Sequence, residues 1–349
     1  MKVKLIDVCE NIFAGGDVPK NDFSPTKTDT HNIPIYTNGE KNNGLYGYTS
    51  KARVNEKSIT VSARGTVGYA AIREKPFYPA IRLITLVPKN DMIYLNYLYY
   101  VMKNYKPNSG GTSIPQLTVP MLKNYKFPLP DLSFQKKVAD RLAKIEQLIS
   151  LKEKHLRLLD ELVKSRFIEM FGDPIIKEKN IKLPQLSSVC RLKAGKFIKA
   201  SDIYEYRKDN MYPCFGGNGL RGYVYDYTHE GNYPLIGRQG ALCGNVKYAK
   251  GKFHATEHAI VVTPLTELDT MWLYYLLLQL NLNRYATGAA QPGLAVNKLE
   301  QIHIEIPSIA SQKIFSSFAL LIDKSKAKIQ NSLAKLETLK KSLMQEYFA

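Results

Sequence analysis

The chain has little of what most nucleic-acid enzymes display. It holds only four cysteines in 349 residues, and Cys9, Cys190, Cys214 and Cys243 show no Cys-x-x-Cys spacing. That argues for a reducing, cytoplasmic setting and against a zinc site. The longest strongly apolar run, 271–280, is about half of the roughly 20 residues a membrane span needs. The opening Met1-Lys-Val-Lys-Leu-Ile-Asp7 lacks the apolar stretch of a signal peptide. No Gly-x-x-x-x-Gly-Lys-[Ser/Thr] loop cradles a nucleotide phosphate, and no Asn/Asp-Pro-Pro-aromatic tetrapeptide holds a base amino group for methyl transfer. No Asp/Glu-x-Lys triplet marks a metal nuclease. The six histidines fall at no metal-ligand spacing. His254 and His258, with Glu257 between them, lie in a strand-like run, where residues four apart sit too far apart for one ion.

What is present is positive charge and an internal repeat. Lys plus Arg number 49 against 31 Asp plus Glu, a net charge of +18, with the excess spread along the whole chain. Such a field favours a long polyanion as partner, nucleic acid first and an anionic membrane second. With 44% apolar residues the chain has ample material for real cores, and its length suits two or three domains. Asn43-Gly-Leu-Tyr-Gly-Tyr48 returns as Asn218-Gly-Leu-Arg-Gly-Tyr223 at an offset of 175. Ile114-Pro-Gln-Leu117, Leu122, Pro130 and Gln135-Lys136 return as Gln291-Pro-Gly-Leu294, Leu299, Pro307 and Gln312-Lys313 at an offset of 177. A period this long makes each unit a whole domain plus a helix.

Each unit opens with short β-branched and aromatic runs between turn residues, in the first at 33–37, 58–63, 67–72 and 81–87. They predict a compact β-rich fold. One apolar segment per unit, 94–103 and 270–280, is too long and too rich in Leu and Tyr for a strand and reads as a buried helix. After Pro130 the pattern changes. Val138, Leu142, Ile145, Ile149, Lys152, Leu156, Leu159, Val163, Arg166 and Met170 form a heptad seam. Adding 177 gives Phe315, Ala319, Ile322, Lys326, Ile329, Leu333, Leu336, Lys340, Leu343 and Tyr347, so even the central lysine is repeated. Each such segment would run about 57 Å as a helix, a spacer rather than a core element. Phe171-Gly-Asp-Pro174 should stop the first. Two such helices can pack antiparallel, with Lys152 and Lys326 near the centre and their ammonium groups reaching solvent or acids such as Glu153.

The remaining chemistry is binding chemistry. Asn38-Gly-Glu-Lys-Asn-Asn-Gly-Leu-Tyr-Gly-Tyr48 and Gly216-Gly-Asn-Gly-Leu-Arg-Gly-Tyr-Val-Tyr225 interleave amides, cations, tyrosines and glycines. Amide and guanidinium forks suit base edges, and glycine lets a backbone approach phosphate. The same composition also suits a plain hairpin turn. Arg64-Gly-Thr-Val-Gly68 pairs with Arg238-Gln-Gly-Ala-Leu-Cys-Gly244, to hold either the fold or a phosphate. Arg82 aligns with His258. Most of the 23 tyrosines fit a core or sheet better than a stacking platform.

Domain, long helix, Phe-Gly-Asp-Pro, domain and long helix together resemble the DNA specificity subunit of type I restriction-modification systems over essentially the full length. Thr112-Ser-Ile-Pro-Gln-Leu117 through Leu122 to Pro128-Leu-Pro-Asp-Leu-Ser-Phe-Gln135 carries the resemblance. So do Leu159-Asp-Glu-Leu with the Phe171-Gly-Asp-Pro174 exit, and Thr287-Gly-Ala-Ala-Gln-Pro-Gly-Leu294 through Pro307 to Gln312. The resemblance implies an α+β fold. Target recognition domains at 1–131 and 173–308 are each followed by a long helix, 132–172 and 309–349, and the helices form an antiparallel coiled coil with the domains at opposite ends. Each domain would read half of a split, asymmetric site in double-stranded DNA. Two copies of an adenine methyltransferase (modification) subunit would dock on the scaffold, joined by a motor-nuclease (restriction) subunit. S-adenosylmethionine, ATP and Mg are expected on those partners only, with no cofactor, metal, catalytic residue or membrane contact here. The candidate DNA contacts are then Asn38, Lys41, Asn42, Asn43, Tyr46, Tyr48, Arg64, Thr66, Arg82, Thr112 and Gln116 in the first half. In the second they are Asn218, Arg221, Tyr223, Tyr225, Arg238, Gln239, His258, Thr287 and Gln291. The sequence departs from some members in entering the first domain without a leading helix, which leaves the last helix to close the coiled coil alone.

The alternative is a non-catalytic coiled-coil adaptor whose two basic β-domains bind RNA or an anionic membrane. A fused methyltransferase reading its own site is a third reading, disfavoured by length and by the missing tetrapeptide.

Overall fold

The computed structural model describes residues 2–106, 116–240, 242–288 and 292–348. By compactness the chain divides into Met1–Glu153 with Asn331–Ala349, and Lys154–Gln330, so each long helix is shared between two units. No helix among the described residues is long and apolar enough to cross a membrane.

In the first unit a four-stranded antiparallel sheet runs in the order Cys9–Ala14, Ile84–Pro88, Ser58–Val61, Ala70–Arg73. A three-stranded sheet has the order Leu45–Thr49, Ile33–Tyr36, Tyr78–Pro79, its last pair parallel. The second unit repeats both. Cys190–Ala194, Ala259–Pro264, Tyr233–Gly237 and Val246–Ala249 form one sheet. Gly219–Val224, Tyr212–Gly216, Lys252–Ala255 and His229–Glu230 form the other. Two expected strands start late. Gly65 and Gly68 have φ of +69° and +86°, so a turn delays one strand to Ala70. Ile81 and Arg82 have φ of 51° and 61°, a left-handed step that delays the next to Ile84. His254 lies in the strand Lys252–Ala255 while Glu257 and His258 sit in the turn after it, so they do not share a strand face as expected. Among the described residues no group of three or more His, Cys, Asp or Glu could hold a metal ion.

The apolar segments form the helices Leu95–Asn104 and Thr270–Gln279, which bury Tyr97, Leu98 and Val101 in one unit and Trp272, Leu273 and Leu276 in the other. The long helices run Leu132–Phe171 and Ile309–Phe348. Asp131 caps the first by accepting from the Phe134 N–H at 2.9 Å. Gly172, at φ +74°, ends it with a bond from its N–H to the Ile168 carbonyl. All the seam positions on both helices are buried or half-buried, as an apolar stripe requires. Within the first unit Arg141 meets Tyr347 and Glu146 meets Lys340, so the two segments run antiparallel. Within the second, Asp160 meets Lys326 and Phe167 meets Phe315, again antiparallel. The ammonium of Lys326 takes Asp160 as its acid, at 2.5 Å. Burial pushes the Glu146 carboxyl up, but Lys103 and Lys340 beside it outweigh this and hold it below its ordinary value.

One buried glutamine per unit fastens domain to helix. Gln135 accepts from the Tyr94 N–H at 2.8 Å and donates to the carbonyls of Met92 at 3.1 Å and Pro130 at 2.8 Å. Gln312 accepts from the Asp269 N–H at 2.8 Å and donates to the Pro307 carbonyl at 2.9 Å. Both are essentially inaccessible. Leucine at either position would strand those backbone groups, each at about 1–3 kcal/mol. Urea unfolding of Gln135→Leu should therefore show a loss of roughly 3 kcal/mol or more, and an unshifted midpoint would refute the clamp.

Candidate nucleic-acid interface

In the first unit three loops and the chain after residue 115 are tied together through one amide. Asn38 accepts from the Ala63 N–H at 2.7 Å and donates to the Ile81 carbonyl at 2.5 Å. The Leu117 N–H donates to the Ala63 carbonyl at 3.0 Å, and Arg64 reaches the Gln116 side chain at 3.3 Å. This brings Arg64, Thr66, Arg82 and Gln116 to the same group of loops, all exposed. Asn38 itself, expected among the DNA contacts, has both amide atoms occupied and acts as a brace. Beside it the loop 37–44 carries Lys41, Asn42 and Asn43, exposed, with Asn42 and Asn43 left-handed at φ 50° and 56°. Tyr69 donates to the Asn43 side chain at 2.9 Å. Tyr46 is 51% exposed, and its ring lies 5.6 Å from that of Phe23. Tyr48 is half-buried, its backbone paired in both directions with Ser24.

The second unit reuses this frame. The Leu294 N–H donates to the Arg238 carbonyl at 2.8 Å as Leu117 does to Ala63, and the Gly244 N–H donates to the Gly237 carbonyl as Gly68 does to Ser62. These bonds set Gly237 at the place of Ser62, Arg238 at that of Ala63 and Gln239 at that of Arg64. The two arginines read as a pair are therefore one residue out of register. Gly65 and Gly240, at φ +69° and +82°, occupy the same left-handed turn position, which holds the new alignment. Arg82 and His258 do coincide, since each precedes a residue whose carbonyl accepts from a glycine N–H, Gly15 on Leu83 and Gly195 on Ala259. Tyr223 pairs with Tyr204 as Tyr48 does with Ser24.

Around this frame the surfaces differ. Tyr36 pairs with Leu45 across eight intervening residues, whereas Phe215 pairs with Leu220 across four. Asn218, Arg221, Tyr225, Gln239 and Thr287 are exposed; Tyr223, Arg238 and His258 are half-buried. The Asn218 side chain accepts from Asn245 at 2.9 Å, and His258 pairs with Glu257 at 3.2 Å. The Arg238 N–H donates to the His258 carbonyl, and Thr287 and Gln239 both bridge to Gly293, so these loops meet. Thr112 and Gln291 lie outside the described residues.

Two side chains of the interface escaped the sequence. Lys247 lies against Gly219, and Arg73 reaches the backbone of Asn43. Both sit in strands of the structure, Ala70–Arg73 and Val246–Ala249, and nothing in their spacing marks them in the sequence.

A duplicated scaffold with two loop-built basic surfaces, alike in frame and unlike in loops, defines a two-site binding protein. The chain belongs to the type I restriction modification DNA specificity family, whose domain model matches residues 1–161 and 178–339, and it carries two tandem recognition domains. It is 33% identical over 306 residues to the type I restriction enzyme EcoprrI specificity subunit of Escherichia coli, covering 82% of this chain and 75% of that one. A type I restriction-modification S subunit from M. genitalium has the same fold, with a TM-score of 0.71 over 100% of this chain and 96% of that one at 18% identity. A chain from a structure concerned with complex assembly and conformational transition of the type I system follows at 0.58, over 99% and 97% of the two chains at 15% identity. The alternative of a basic adaptor for RNA or an anionic membrane gains no support from these relatives.

Proposed function

We propose that this chain gives a type I restriction-modification complex its sequence specificity, each recognition domain reading one half of a bipartite, asymmetric site in double-stranded DNA. The observation that carries this is a conserved hydrogen-bond frame bearing loops of different length and charge in the two units. One frame used twice gives two readers, and unlike loops give unlike half-sites. The long helices act as a coiled-coil spacer that sets the gap between half-sites and docks two methyltransferase subunits. A motor-nuclease subunit joins for restriction in the cytoplasm. The chain itself is non-catalytic: S-adenosylmethionine, ATP and Mg belong to the partners, and methyl transfer by the pure chain would contradict this.

Among the candidate contacts, Lys41, Arg64, Arg82, Arg221 and Arg238 supply phosphate or guanine contacts, and Asn42 and Gln239 supply amide forks. Duplex affinity of the full chain should fall by about 10³ to 10⁵ between 50 and 200 mM salt if six to ten phosphates are neutralised. Titration across that range with a selected site, and with duplexes scrambled in either half, tests the proposal. A flat salt response, or indifference to scrambling both halves, would overturn it.

A further inference from the structure

The layer beneath the first recognition surface is polar where its counterpart in the second unit is apolar. Ser58 lies opposite Arg73 and Thr60 opposite Thr85 in the first sheet. The same register in the second pairs Tyr233 with Ala249 and Leu235 with Val261, part of an apolar cluster with Phe253. Arg73 is only 4% exposed. Its Nε donates to Thr60 Oγ1 at 3.0 Å, its Nη2 donates to the Asn43 carbonyl at 2.8 Å, and its guanidinium lies 3.5 Å from the centre of the Tyr36 ring. Among the described residues no carboxylate pairs with it. Among the described residues the buried hydroxyls of Ser58 and Thr85 find no partner. Burying an unpaired cation and orphaned hydroxyls costs stability, and the apolar layer of the second unit shows that the fold does not require them.

What differs above this layer is the loop. In the first unit it is the longer one, and it holds three successive left-handed residues, Asn42, Asn43 and Gly44. Asparagine enters that conformation more readily than other residues with side chains, but it does so mostly singly, so two in succession gain from being held. Arg73 grips the Asn43 carbonyl from below and Tyr69 grips its amide from the side. The second unit has a shorter loop, and Ala249 stands where Arg73 would be. The Asn42 side chain is exposed at the turn.

We infer that Arg73 is a positioning residue for sequence recognition: it clamps the turn Asn42–Gly44 so that the Asn42 amide can fork onto an adenine edge in the major groove. This rests on the proposed reading of duplex DNA by the first domain. An asparagine amide pairs with the N6 and N7 positions of adenine only when both its prongs are aimed together, and that is what a clamped turn provides.

The test is selection of preferred duplexes from a random pool by the full chain and its variants, with thermal unfolding measured in parallel. The parent should prefer adenine at one position of one half-site. Asn42→Ala and Arg73→Lys should each weaken that preference about tenfold, with the other half-site unchanged. The double variant should lose no more than either alone, because the two act in series. Tyr69→Phe loosens the same turn without touching the buried layer, so it decides the matter should the Arg73 variant unfold; it should weaken the same position. A lower unfolding temperature with full adenine preference in both the Arg73 and Tyr69 variants would overturn the inference, as would an even loss over both half-sites. A parent indifferent to sequence in both halves would instead overturn the reading of DNA itself.

Discussion

Gly237→Ala is expected to abolish recognition of the second half-site while leaving the first intact. A Cβ on Gly237 would lie 1.9 Å from the Gly217 carbonyl oxygen and 2.9 Å from its carbon, both backbone atoms that cannot swing aside as a side-chain tip would. Gly237 ends a central strand, and its carbonyl accepts from Gly244, so it can retreat only by opening the loop that presents Arg238 and Gln239. The alternative is to displace 216–219, the turn that presents Asn218 and Arg221. Either way the loops that define the second surface come apart, at a cost expected to exceed about 3 kcal/mol. The first unit supplies the control. Ser62 holds the equivalent place, and the longer loop above it turns a clash into a hydrogen bond, Gly39 N–H donating to Ser62 Oγ at 3.0 Å. Ser62→Gly should therefore cost no more than about 1–2 kcal/mol and spare the second half-site entirely. The measurement is binding to duplexes scrambled in one half at a time. If Gly237→Ala discriminates at both halves like the parent, the two loops do not depend on this backbone contact.

The contrast between Ser62 and Gly237 also shows what a sequence makes legible. The long helices, their ends and their seam could be read because periodicity of 3.5 residues and a Gly-Asp-Pro stop are local signals, and every seam residue indeed avoids full exposure. The repeat was legible because the frame reuses the same residues, such as Gln135 and Gln312, at equivalent bonds. Arg64 and Arg238 stand one residue out of register, because the turn gains a residue in the second unit and only the hydrogen bonds of Ala63 and Arg238 to the chain near 117 and 294 fix the register. Asn38 stands among the expected DNA contacts because composition cannot reveal that Ala63 and Ile81 engage its amide. Arg73 was invisible for the opposite reason. It is a charged residue inside a strand, and its importance lies in what it meets across thirty residues of sequence.

Inserting one heptad into each long helix, between Glu153 and Lys154 and between Gln330 and Asn331, should lengthen the preferred gap between half-sites by about three base pairs. These are the points at which each helix passes from one compact unit to the other, so neither recognition fold is cut. Seven residues add about 10 Å of helix, and a repeat of seven returns the seam to the same face. The partners within each unit keep their register, because Glu146 with Lys340 lie on one side of both insertions and Asp160 with Lys326 on the other. At about 3.4 Å per base pair the extra length matches three steps. Those steps also turn one half-site by roughly 100° about the duplex axis relative to the other, whereas a heptad turns the helix pair far less. Affinity at the new optimum should therefore fall below that of the parent at its own, even as the optimum moves. Selection from random duplexes reads both quantities at once, and the half-site sequences themselves should not change. A lengthened chain that binds as tightly as the parent with the gap unmoved would show that the helices do not measure the site, and the spacer role proposed for them would have to be given up.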